Sequence, residues 1–140
     1  MIYMYIIYID NANMYIPKSY KEFVVSAFIL LMLDATYITT TSKLYNDQIV
    51  NVQRVVMKVK PVGAIICYAF IILGLYYFII SKKRPMEEAF LFGLVVYGVY
   101  DATNYATLKK WSPYLAIMDT IWGGTLFALT TQLTYFITHG

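Results

Sequence analysis

Three carboxylates stand inside stretches that are otherwise apolar: Asp34 in "EFVVSAFILLMLDATYITTT", Asp101 in "EEAFLFGLVVYGVYDATNYATL" and Asp119 in "PYLAIMDTIWGGTLFALTTQLTYFIT". A charged aspartate near the middle of a membrane helix costs roughly 2.5–3.5 kcal/mol even on the gentler insertion scales. Three of them are expected to face a bundle interior or a wet cavity, or to carry a proton. Grouped carboxylates can act as general acid and base, hold a divalent cation through oxygen ligands, or exchange a proton for a substrate. Helical spacing supplies each with polar company. Tyr97, Asp101 and Asn104 fall on one stripe with Leu108; Asp119 shares a face with Trp122 and Gly123; Asp34 aligns with Tyr37 and Thr41. Asp101, Asp119 and Asp34 are therefore the candidate catalytic residues, and Asn104, Tyr97, Tyr37, Trp122 and Lys109 the candidate binding residues. The same groups would equally serve a purely structural purpose by bonding helices together.

The elements that must position these residues are helices. Four segments have the ~20 residues needed to cross ~30 Å of hydrocarbon: Glu22 to Thr41, Pro61 to Ile80, Glu87 to Leu108 and Pro113 to Thr138. Proline opens the second and fourth, where its missing N–H is harmless. Glu87 and Glu88 open the third, at the positive end of its dipole. Short turns join the last three segments, predicting an all-α, up-down, integral membrane four-helix bundle over residues 22–138. Between the first two lies "SKLYNDQIVNVQRVVMKVK", whose Ile49, Val52, Val55, Val56 and Val59 alternate with cations at helical spacing. That pattern predicts an interfacial amphipathic helix. Residues 1–21 open with nine apolar residues, too short to span, and read as an interfacial or disordered tail, or as lying upstream of a start at Met14.

Depth follows from counting. Asp34 precedes Thr41 by seven residues, Asp101 precedes Leu108 by seven, and Asp119 follows Pro113 by six. Those three ends share one membrane face in an up-down bundle, so all three carboxylates are expected about 9–11 Å below it, as a layer.

Composition narrows the function classes. Hydrophobic residues make up 60% of the 140 and charged residues 14%, against ~45–50% and ~25% in soluble domains, so the lipid bilayer is the first partner. A net charge of +3, with no basic run interleaved with aromatics, argues against nucleic acid. The single Cys67 excludes an intrachain disulfide and reads as a buried, inert thiol. The single His139 reads as lying on a frayed tail, which disfavours histidine-based metal or triad chemistry. No cofactor motif is present, and no metal site is expected. Gly63, Gly74, Gly93 and Gly98 are expected to serve close helix packing, Trp111 to lie at the interface. The preponderance of Lys, Ile and Tyr fits an AT-rich genome, such as that of a large DNA virus or a low-GC microbe. Five cations on one face and six on the other give almost no orientation bias. The compact "KKR" turn tips the reading toward both termini in the cytoplasm, and the balance permits antiparallel homo-oligomers.

The run "YDATNYATL" (Tyr100 to Leu108), with "DTIWG" (Asp119 to Gly123) and the early Leu33-Asp34, resembles the domain-of-unknown-function family 2177 over roughly residues 23–136. The resemblance implies a four-helix integral membrane protein and underlines the aspartates; it supplies no substrate. Three functions are compatible with the residues. The first is a protein that binds or modifies a lipid or other small amphipathic molecule at the aspartates, with Asp101 and Asp119 in acid–base or metal roles and Asn104 orienting. The second is a proton-coupled transporter or ion pathway, with Asp34 as coupling residue. The third is a structural or accessory membrane protein. Whether the chain is an enzyme stays open at this point.

Overall fold

The "TTT" run that closes the first apolar stretch does not close its helix. Thr36, Thr39, Thr40 and Thr41 each turn a hydroxyl back onto the carbonyl four residues earlier, which satisfies the hydroxyl inside the helix instead of stopping it. In the computed structural model, which describes residues 18–140, the first helix α1 therefore runs Lys18–Gln53. The expected interfacial helix is not a separate element. Its first part, through Gln53, continues α1, which stops where Arg54 takes a left-handed backbone (φ 57°) and donates to the Val50 carbonyl; residues 56–60 are extended or irregular. Of the expected N-terminal tail, residues 18–21 belong to α1, and the remainder lies outside the described residues.

The second helix α2 spans Pro61–Leu75, with proline in its first turn, and widens into a π-helical turn over Tyr76–Ile80, marked by the Ser81 N–H reaching back to the Tyr76 carbonyl at 2.8 Å. Helix α3 is Met86–Thr107, carrying Glu87 and Glu88 in its first turn, and α4 is Pro113–His139. Ser112 caps α4 by accepting from the Leu115 N–H at 3.3 Å. The four helices of the described residues run up and down.

Helix α4 is the hub. Leu126, Phe127, Thr130, Thr131 and Thr134 are all fully buried on it, and the core joins Leu126 and Phe127 to Leu30, Leu75, Ile79, Ile80 and Ala89. The α3–α4 contact is the closest because glycine faces glycine. A Cβ on Gly93 would collide with the Gly123 carbonyl and come within 2.9 Å of the Gly124 Cα. Gly63 has no such purpose, since a Cβ there would meet nothing within 4 Å. Helix α2 is held loosely: Leu75 alone of its fifteen residues is buried, and Val62, Ile65, Phe70 and Leu73 are each more than half exposed. Cys67, expected buried, is exposed on the same helix.

By length and composition, α1 and α2 with its π turn are apolar enough to cross a membrane; α3 and α4 are long enough but more polar. Four of their polar residues, Asp101, Thr130, Thr131 and Thr134, are buried, while Leu91, Val95, Val99, Ile117, Ile121 and Phe136 are exposed.

Candidate functional site

Extending α1 past Thr41 carries Tyr45 and Gln48 over the turn between α3 and α4. The buried Gln48 side chain donates from Nε2 to the Lys110 carbonyl at 3.0 Å, in a turn where Lys110 is left-handed (φ 69°). Tyr45 donates to Asp119 Oδ1 at 2.8 Å. Because that hydroxyl's proton is committed, the 2.9 Å contact between Tyr37 and Tyr45 has Tyr37 as donor. The result is a directed chain, Tyr37 to Tyr45 to Asp119, and the Asp119 carboxyl adjoins that of Asp101.

Asp34 is held differently. Its two oxygens accept from Tyr68 Oη on α2 at 2.6 Å and from Trp122 Nε1 on α4 at 2.9 Å. Trp122 in turn stacks on Tyr37, with ring centroids 4.4 Å apart and planes 9° from parallel. The stack joins the Asp34 cluster to the Tyr45–Asp119 chain, so three helices contribute aspartates to one connected polar network. Along α4, Trp122, which meets Asp34, lies three residues beyond Asp119.

Satisfaction separates the aspartates. Asp34 is buried with a donor on each oxygen. Asp101, 3% exposed, has a buried Oδ2 with no donor in the described residues. Beside it is the indole of Trp111, whose N–H is likewise buried without an acceptor. The two adjoin but do not reach hydrogen-bonding geometry. Leaving such a group bare costs about 1–3 kcal/mol. Trp111 is 8% exposed and sits edge-on to Tyr100 at 6.5 Å.

Asp101 also lines a groove of about 420 Å³ between α3 and α4, otherwise formed by Gly98, Ala102, Tyr105, Ala116, Ile117 and their neighbours. Its walls are nearly all apolar, and it opens on the outer surface of the bundle.

The remaining candidates are placed variously. Tyr97 contributes its ring, which covers Gly123 and meets Phe127 edge-on at 6.2 Å. Asn104 is half-buried beside Tyr100, one turn from Asp101. Lys109 is exposed, in the turn that Gln48 fastens. Tyr45, Tyr68 and Gln48 were not among the expected site residues. Tyr45 lies eight positions after Tyr37, on the same face of a continuous helix, and that spacing was the available signal. Among the described residues, no group of three or more His, Cys, Asp or Glu side chains is placed to hold a metal ion.

A second polar cluster occupies the opposite end of the bundle. Glu22, 3% exposed, is paired with Lys83 and with His139, whose Nε2 lies 2.8 Å from Oε1. Tyr76 donates to the Ser19 carbonyl at 3.1 Å, and Tyr135 to the Arg84 carbonyl at 2.8 Å. His139, expected on a frayed tail, is helical and tied to α1.

Among the described residues, a helical bundle in which two helices are long and apolar enough to cross a membrane points to the class: an α-helical membrane protein. Residues 19–136 match the family described as predicted membrane protein (DUF2177), and the chain belongs to that family. No curated protein and no solved structure matches it.

Proposed function

We propose that all four helices cross the bilayer, and that the protein binds the polar end of an amphipathic molecule at Asp101 and Asp119, with its apolar part in the α3–α4 groove. The observation that carries this reading is the unpartnered Oδ2 of Asp101, buried in the wall of an otherwise apolar groove. A buried acceptor without a donor among the described residues calls for a partner, and a ligand's donor would supply one. Two adjoining carboxyls favour a ligand rich in donors, a hydroxyl or an ammonium, and disfavour a carboxylate or phosphate. Asp119 is oriented for this by Tyr45 and Tyr37, while Asp34, with both oxygens occupied, holds α1, α2 and α4 together. Lateral entry from the bilayer suits a site whose outer walls are Ile117, Ile121 and Ala102.

The test uses the protein in nanodiscs with three single-chain probes of equal length: dodecylamine, dodecanol and dodecanoate. The amine or the alcohol should raise the midpoint of thermal unfolding and dodecanoate should not. Asp101→Asn should abolish the shift while leaving the ligand-free midpoint unchanged or higher, since it removes one of two crowded carboxyls. Equal shifts from all three probes, or a variant that no longer folds, would refute the reading.

A further inference from the structure

A second groove lies on the other side of the bundle, between α2 and α3, and it is built from different chemistry. Two contiguous hollows, of about 400 and 470 Å³, share Phe78 and Phe92 as lining residues. The inner one is walled by Phe70, Leu73 and Gly74 of α2; the outer one adds Leu91 and Val95 of α3 and ends at Lys82, Arg84 and Glu88. From Phe70 to Ile80 is ten residues, about 15 Å of helix, or half the ~30 Å thickness of the hydrocarbon core. The groove thus has the length of one leaflet, with its charged mouth at the membrane face.

The charges at the mouth are available. In the turn after α2, Glu22 takes Lys83 alone. Lys82 lies against the rings of Tyr77 and Phe78, its Nζ 4.9 and 5.9 Å from their centroids, and forms no ion pair within the described residues. Arg84 meets Glu88 only at 3.5 Å, with both side chains about half exposed. Two cations against one carboxylate leave the mouth net positive, whereas the α3–α4 groove presents a carboxylate. The two sites would therefore select opposite headgroups.

We propose that the α2–α3 groove binds an anionic phospholipid, with one acyl chain along Phe70, Leu73, Phe78 and Phe92 and the phosphate at Lys82 and Arg84. The loose seating of α2 then has a reason, since lipid completes the packing that side chains leave open. This site does not depend on the reading of Asp101 and Asp119.

Leu91→Trp, at an exposed groove position, places an indole in the wall; Trp111 and Trp122 lie near the other end of the bundle and supply a background measured in the parent. Reconstituted with phospholipids brominated on the acyl chain, the introduced indole should be quenched preferentially by phosphatidylglycerol over phosphatidylcholine, by about fivefold for one net positive charge. Lys82→Gln with Arg84→Gln should abolish the preference, and Lys82→Gln alone serves if the double variant does not fold. Millimolar inorganic phosphate should not displace the lipid. Equal quenching by both lipids, a preference that survives loss of the cations, or displacement by free phosphate would overturn the proposal. Absence of quenching would do so as well, because the groove would then be filled by protein.

Discussion

At the scale of single residues, the three aspartates divide by what their oxygens touch. Asp34 receives Tyr68 and Trp122, and replacing it by Leu strands both donors in a buried setting. Asp34→Leu should lower unfolding stability in detergent titration by about 2–4 kcal/mol, and Asp34→Asn, which keeps one acceptor, by about 1 kcal/mol. Asp101 should behave oppositely, with Asp101→Asn neutral or stabilising in the same assay, because its Oδ2 gives up no bond. The sequence located all three aspartates, since a carboxylate in an apolar run is conspicuous whatever surrounds it. It did not distinguish them, because satisfaction depends on Tyr68 and Tyr45, which reach the aspartates from other helices. Tyr68 announces nothing by type or spacing, and the spacing of Tyr45 from Tyr37 signals only once α1 is known to continue past Thr41. Trp122, a candidate binding residue by sequence, packs on Tyr37, and its indole N–H donates to Asp34.

At the scale of elements, the decisive feature is that α1 continues past Thr41 to Gln53. Threonines 39–41 followed by Ser42 and Lys43 resemble an exit from the membrane, yet their hydroxyls are absorbed by the helix's own carbonyls. The twelve residues beyond are what close the site, through Tyr45 and Gln48. Gln48→Ala should release this extension from the Lys110 carbonyl. Amide exchange over residues 42–53 should quicken severalfold, and with it the thermal shift produced by a groove ligand should shrink, while exchange in α4 stays as it was. The same scale explains the glycines. Composition cannot tell a glycine at a helix crossing from one on an open face, and the structure assigns Gly93 to the first and Gly63 to the second. Gly93→Ala must push α3 off α4 and should cost about 1–3 kcal/mol. Gly63→Ala should be neutral or stabilise α2 by about 0.5 kcal/mol through helix propensity alone. Chemical denaturation of the two variants side by side checks both signs.

At the scale of the whole molecule, two polar clusters sit at opposite ends of an apolar bundle, and they differ in kind. The Glu22–Lys83–His139 cluster is fully paired and ties α1, the α2–α3 turn and the end of α4 together. Glu22→Gln should cost about 1–2 kcal/mol, the solvent exposure of Lys83 and His139 limiting the loss. The aspartate end is under-satisfied and opens sideways. That asymmetry has meaning only if the bundle stands across a bilayer, which α1 and α2 suggest by composition and α3 and α4 by direction. A mean over α4 counts Thr130, Thr131 and Thr134 as polar surface although none is exposed. Its outer face carries Ile117, Ile121, Leu133 and Phe136, which is what lipid requires and what water would penalise. If all four helices cross, the two turns must lie on opposite sides. Starting from Cys67→Ser, single cysteines at Lys18, Lys82 and Gly140 should react with a membrane-impermeant maleimide from one side, and a cysteine at Lys109 from the other. Labelling of positions 82 and 109 from the same side would show that α3 does not cross. The aspartates would then lie at a surface, where buried carboxyls facing an apolar groove would have no bilayer to recruit from.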